Sequence, residues 1–200
     1  KELPSLSKKK FPDFSPALAL DLRRSIFRWV EKSVWNENSS WQAFLKMDKI
    51  QVNERISAYY DLDYPTDENA SGFVEMNASK LNRSGLHTHP YLLASHSYAE
   101  ESSPIHRGVF TSRKILGRTL RPPSEAVSFR NADFNPDWTM RQKVTELTKP
   151  AHCMSCHDQI NSTGFVLENY DASGRIRSKI AGKPINLVVK YPDSNGQEVK

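Results

Sequence analysis

The chain has 200 residues, with 28 Lys and Arg against 23 Asp and Glu, a formal net charge of +5 and a mean hydropathy of −0.63. That length suits one domain, or a domain with an appended subdomain, and is enough to bury a core. No run of about 18 apolar residues is present, which excludes a membrane-spanning helix; the cations are spread rather than interleaved with aromatics, which argues against nucleic-acid binding.

Residues 1–14 read as a loose lead-in; their basic residues precede no apolar stretch of signal-peptide type. Ser15-Pro16 pairs an N-cap hydroxyl with proline at the first helical position, and a helix is expected to about Trp35. Leu18, Leu22, Ile26, Trp29 and Val30 share one side of it, with Phe27 and Val34 widening the stripe. A second short helix is expected from Ser40 to Met47, with Trp41, Phe44 and Leu45 inward. A third spans Val52 to Tyr60 and carries Ile56 and Tyr60. Residues 61–72 are acidic and turn-rich, a candidate boundary, and Phe73 to Met76 reads as a short strand. The second half opens near Leu86, with a short helix from Pro90 to Ser95. Ser103-Pro104 repeats the N-cap-plus-proline signal and starts a helix through Val109, Phe110, Ile115 and Leu116, stopped by Gly117. Arg121-Pro122-Pro123 is extended and stiff. A polar helix occupies Asp137 to Lys149 and ends at Pro150. From Arg175 to Lys200, apolar and polar residues alternate around Gly182-Lys183 and Ser194-Asn195-Gly196, which predicts β-hairpins. The expected fold is mainly α: an N-terminal helical subdomain over 1–85, a second module over 86–200, and a short C-terminal β-hairpin region.

Cys153-Met154-Ser155-Cys156-His157 spells C-x-x-C-H, the attachment motif of a c-type haem, and uses both cysteines of the chain. The two thiols would bond to the haem vinyl groups and His157 would take the iron on its proximal side. A zinc site needs about four N/S ligands, and no second cysteine pair exists. A thioredoxin-like pair should follow a strand in a βαβ pattern, which is missing here. A disulfide between Cys153 and Cys156 would close a loop too short to stabilise much. One covalent haem c is therefore expected, and it would supply apolar core that the composition lacks. Because this haem is attached outside the bacterial cytoplasm, the protein is expected to be exported to the periplasm or the exterior. An export signal is expected to have been removed, or the chain to be a piece of a longer one.

The ordered set Ser103-Pro104-Ile105-His106-Arg107-Gly108-Val109-Phe110, Pro122-Pro123, Met140-Arg141-Gln142-Lys143, the C-x-x-C-H motif, and Ile160 through Gly164-Phe165-Val166-Leu167-Glu168-Asn169-Tyr170-Asp171 to Arg175 resembles the multidomain c-type cytochrome proteins of planctomycetes and myxobacteria, otherwise domains of unknown function. The stretch Leu20 to Tyr64, with Val52-Asn53-Glu54-Arg55, resembles the end of the helical module that precedes the haem module there. The resemblance covers about residues 20–185. It implies a cytochrome c-like mono-haem module, fused to other domains, that moves electrons. Where the family has Asp-Pro, this chain has Asn161-Ser162.

A distal iron ligand from the protein, where there is one, comes from upstream, because residues 158–200 hold neither Met nor His. The candidates are Met47, Met76, Met140, His87, His89, His96 and His106; His152 and Met154 flank the cysteines too closely. His89 is the first choice, since the segment Leu86 to Pro90 resembles a family segment with His or Met at that place, and Pro90 fixes the backbone beside it. His96, Met140 and Met76 are the alternatives. His87 is expected to be exposed and His106 to pack. Phe165 and Tyr170 are expected to line the haem, with Trp138 another candidate, and Trp35 and Trp41 to be core aromatics. Electron transfer to an acidic redox partner is the leading function. A peroxidase-like enzyme with an open distal site and a module stapled by haem are the alternatives.

Overall fold

A computed structural model describes residues 2–36, 40–65, 72–120, 129–130, 133–192 and 198–199. It divides into two compact units. The first comprises Lys1–Ser95 with Ala172–Arg175, the second His96–Asp171 with Ile176–Lys200. The break expected after residue 85 lies ten residues later, because Leu86, Tyr91 and Ala94 belong to the apolar core of the first unit.

In the first unit α1 runs Pro16–Val34, and the Ser15 hydroxyl accepts from the Leu18 amide at 3.1 Å. Its buried face is Leu18, Ala19, Leu22, Ile26 and Trp29, with Asp21 and Ser25 among them. Phe27 and Val34, expected to widen that stripe, are 58% and 57% exposed. They fall on the far side of the helix, where Arg23 lies over the Phe27 ring. α2 (Trp41–Lys46) is capped by Ser40 and ends at Met47 in the left-handed region. It buries no residue; Trp41 stacks on Phe44 at its surface rather than pointing inward. β1 (Lys49–Val52) then pairs antiparallel with β2 (Val74–Asn77), Ile50 opposite Met76. Val52 belongs to that strand and not to the next helix, because the Asn53 side chain accepts from the Ile56 amide and starts α3 (Glu54–Tyr59) only after it. A 3₁₀ turn over Leu86–Thr88 leads into α4 (Pro90–Ser95). Ala172–Arg175 returns to this unit: the Tyr60 hydroxyl donates to Ser173 O, and Arg175 donates to Tyr59 O while its guanidinium lies over the Tyr59 ring.

In the second unit α5 (Pro104–Phe110) follows its Ser103 cap and continues as one π turn, Thr111–Ile115, ending before Gly117 at φ +65°. α6 (Met140–Leu147) begins three residues after Asp137, because Thr139 and Gln142 form a capping box. α7 (Ala151–Phe165) contains the whole C-x-x-C-H motif, with Pro150 as N-cap. α5 crosses α7 almost backbone to backbone. A Cβ on Gly108 would sit 2.0 Å from Ile160 O, and one on Gly164 would sit 2.0 Å from Pro104 O. The expected hairpins are present. β3 (Lys179–Ile180) pairs with β4 (Lys183–Pro184) across Ala181-Gly182, both at positive φ, and β5 (Tyr191–Pro192) pairs with β6 (Glu198–Val199). Arg121-Pro122-Pro123 lies outside the described residues, as do residues 66–71 of the acidic boundary candidate. The architecture is mainly α with small antiparallel pairs, and no described helix is long and apolar enough to cross a membrane.

The apolar core is divided unequally. Among the described residues, nineteen buried hydrophobics lie in the first unit and six in the second: Met140, Val144, Ile160, Phe165, Leu167 and Tyr170. Area removed from water is the main stabilising term in a fold, and among the described residues the first unit holds most of it.

Candidate functional site

Cys153, Cys156 and His157 stand at i, i+3 and i+4 on α7, which places them on one face. Ile160, Asn161 and Gly164 continue the same stripe. Its character changes along the helix: the first three residues are partly buried, the next three buried. Both thiols are free. The lower half of the stripe is covered by α5 through the Gly108–Ile160 and Gly164–Pro104 contacts, and the upper half, with the sulfurs, is partly buried.

His157 is held from one side. Its Nδ1 lies 3.1 Å from Asn161 Oδ1, one helical turn on, and among the described residues no group hydrogen-bonds Nε2. Asn161 is buried, and its Nδ2 donates to Thr148 Oγ1 at 2.9 Å. Thr148 in turn donates to Val144 O at 2.8 Å, which ties the chain to the last turn of α6.

The end of α7 is fixed by Arg107, which is 2% exposed. Its guanidinium donates to the carbonyls of Leu167, Tyr170 and Asp171 and to the Ser97 hydroxyl. Those carbonyls belong to the turn that follows α7, where the Tyr170 amide also donates to Leu167 O at 3.1 Å. Beside them Glu168 accepts from Ser102 at 3.1 Å and faces Arg177 at 3.3 Å. Burial raises its carboxyl above the usual range, while the charges of Arg107 and Arg177 pull it back down. A cleft of about 540 Å³ in this unit is lined by Trp138, Arg141, Gln142, Glu168, Ile180 and Lys183 among others, and by neither cysteine nor His157.

The other expected site residues are dispersed. Met140 and Phe165 share one small cluster with Val144, and the Arg141 guanidinium lies over the Phe165 ring. Tyr170 is buried beyond the end of α7 and bridges to Ile176. His96 is partly buried with its ring against Phe110. His106 is exposed; its Nδ1 meets Ser103 Oγ at 2.8 Å. Met76, Met47, His87 and His89 belong to the first unit. His89 is fully buried there: its Nδ1 accepts from the Tyr91 amide at 3.1 Å and its Nε2 lies 3.2 Å from Ser25 Oγ. Both ring nitrogens are thus engaged within the first unit, and burial, with Arg83 nearby, depresses its pKa to about 3. His87, expected to be exposed, is partly buried and shifted down by desolvation. Trp35 and Trp41, expected in the core, are 81% and 57% exposed. Asn161 appears in the sequence only as a departure from a family pattern. Its i+4 spacing from His157 was the readable signal of its contact.

Two thiols and one imidazole on one helix face are the groups that thioether attachment and proximal ligation of a haem would use. Among the described residues no three His, Cys, Asp or Glu side chains converge to hold a metal. In haem attachment they need not, since the thiols bond to carbon and only the imidazole reaches the metal.

Residues 83–180 match the family model described as PSCyt3, protein of unknown function (DUF1588), and residues 2–62 match PSD4, protein of unknown function (DUF1592). The first match starts inside the first unit and carries through the C-x-x-C-H motif to β3. Two such modules side by side fit a piece of a larger multidomain chain. Comparison with curated proteins gives no match, and neither does comparison with solved structures.

Proposed function

We propose that this protein is a mono-haem c-type cytochrome that carries electrons. One observation carries the reading: Cys153, Cys156 and His157 share one partly buried helical face, with Nδ1 of His157 held by Asn161 and, among the described residues, no hydrogen bond to Nε2. The label in the PSCyt3 family name agrees with it. A covalently bound haem supplies a one-electron iron couple. Cys153 and Cys156 hold it by thioether bonds, His157 presents Nε2 to the iron, and the protein sets the potential through that ligand, hydrogen bonding and burial. For the distal side His96 replaces His89 as the first candidate. Both ring nitrogens of His89 are already hydrogen-bonded in a fully buried position, whereas His96 is only partly buried. Met140 is the second candidate, and Phe165 and Tyr170 remain the proposed aromatic lining.

Intact mass of the protein matured in a bacterial periplasm tests this directly. One haem per chain should survive denaturation and acid-acetone extraction, and Cys153→Ala with Cys156→Ala should abolish it. Haem that extracts freely overturns the proposal. Carbon monoxide separates carrier from enzyme: slow or negligible binding to the reduced protein supports a carrier, while fast binding with saturable peroxide turnover supports a peroxidase-like enzyme.

A further inference from the structure

The hydrogen bonds around His157 form a one-way chain that can be read atom by atom. Val144 O can only accept, so the single O–H of Thr148 is spent on it at 2.8 Å. The Thr148 oxygen is then left to accept, and Asn161 Nδ2 donates to it at 2.9 Å. This fixes which way the Asn161 amide points, a choice otherwise open for an amide side chain. Oδ1 faces His157 Nδ1 at 3.1 Å. A carbonyl oxygen only accepts, so Nδ1 must carry the ring proton and the lone pair must sit on Nε2. The chain is shielded: Asn161 and Thr148 are 7% and 3% exposed.

We infer that Asn161 is a positioning residue. It locks His157 into the Nδ1–H tautomer before any metal is bound, and as a neutral acceptor it sets how strongly the imidazole donates to iron. The second part rests on the haem reading above; the first stands on the hydrogen bonds alone. The partner of a metal-bound imidazole tunes its basicity. A carboxylate in place of the amide would draw the Nδ1 proton harder, make the ring a stronger donor and favour ferric iron. An apolar side chain would do the reverse. Thr148 acts one step further out by keeping the amide from turning.

The test is an equilibrium redox titration of the haem-loaded full chain in four forms: wild type, Asn161→Asp, Asn161→Leu and Thr148→Val. Asn161→Asp, nearly the same shape as Asn, should lower the midpoint by about a tenfold preference for ferric iron, which reads as ~59 mV. Asn161→Leu should raise it, and Thr148→Val should raise it less. Loss of packing alone would move both Asn161 variants the same way, so opposite signs support the assignment, and equal signs or no shift in haem-loaded protein overturn it. A second readout needs no haem. In the ¹⁵N-histidine spectrum of the full chain with both cysteines changed to alanine, neutral His157 should show the Nδ1–H tautomer, and Asn161→Leu should lose it. An Nε2–H tautomer in the parent protein refutes the locking role whatever the cofactor. Absence of covalent haem with an Nδ1–H His157 removes the function proposed above and leaves the locking role standing.

Discussion

Changing Gly164 to alanine sets two effects of opposite sign against each other. In a helix interior alanine is favoured over glycine by about 1 kcal/mol. Against this, the new Cβ would lie 2.0 Å from Pro104 O and 2.7 Å from Pro104 C, where ordinary contact begins at 3.4 Å. The gap must open by the difference, about 1.4 Å. The obstacle is backbone in the first turn of α5, held by the Ser103 cap, and not the end of a flexible side chain. Overpacking costs ~1–3 kcal/mol even where side chains can yield, so the upper end applies. The net loss should be at least about 2 kcal/mol after the propensity gain is subtracted. At ~4–8 °C per kcal/mol for a unit near 100 residues, the melting temperature should fall by roughly 8–16 °C. Thermal unfolding of the full chain followed by far-ultraviolet circular dichroism measures this. Gly117→Ala is the control: Gly117 has φ +65° with nothing within 4 Å of a Cβ, so only the left-handed strain of ~1–2 kcal/mol should register. A Gly164→Ala protein as stable as wild type, or more so, would show that the α5–α7 crossing is not a backbone contact.

His89 makes stability depend on pH. Its folded pKa of about 3 lies below the unfolded value of 6.5, so below pH 6.5 the unfolded chain binds a proton that the folded one refuses. Stability should be full above that value and fall at ~1.4 kcal/mol per pH unit on the way down, about 2 kcal/mol by pH 5. Urea unfolding at pH 7 and pH 5 measures the loss, and His89→Gln should flatten it; a pH-independent wild type would disprove the assignment. Arg107→Ala should cost about 3 kcal/mol, because three carbonyls, two of them buried, lose the same guanidinium donor together. Lysine should rescue it poorly, lacking the planar fork; full rescue by lysine in chemical denaturation would sink that account. Electron exchange with an acidic small protein should slow as salt rises, given the net charge of +5. A rate indifferent to salt would remove charge steering.

The helices whose start is marked by a side chain were legible. Ser15-Pro16 and Ser103-Pro104 both open helices as the sequence indicates. Asn53 and Thr139 cap α3 and α6 and start them later than apolar spacing alone suggests. Exposure of large aromatics was not legible, since Trp35 and Trp41 read as core by type and lie outside by position. For the candidate site, C-x-x-C-H specifies chemistry through a fixed local spacing, and the chain places it on one helix face. The distal candidates depended on long-range packing, which local spacing does not encode. His89 looked like an aimed ligand because of Pro90, yet Ser25, 64 residues away, claims its ring. Arg107 gave no local sign either, because its partners lie about 60 residues downstream.

α7 is anchored unequally. Beyond its last turn Arg107 gathers three carbonyls, whereas Pro150 at the other end offers no side-chain cap. Amide exchange should therefore run as a gradient, fast around Cys153 and Cys156 and slow from Ile160 onward, because local opening costs least where contacts are few. The two sulfurs sit at the cheap end of that gradient. Opening the first turn and a half of α7 would therefore leave the α5 crossing in place.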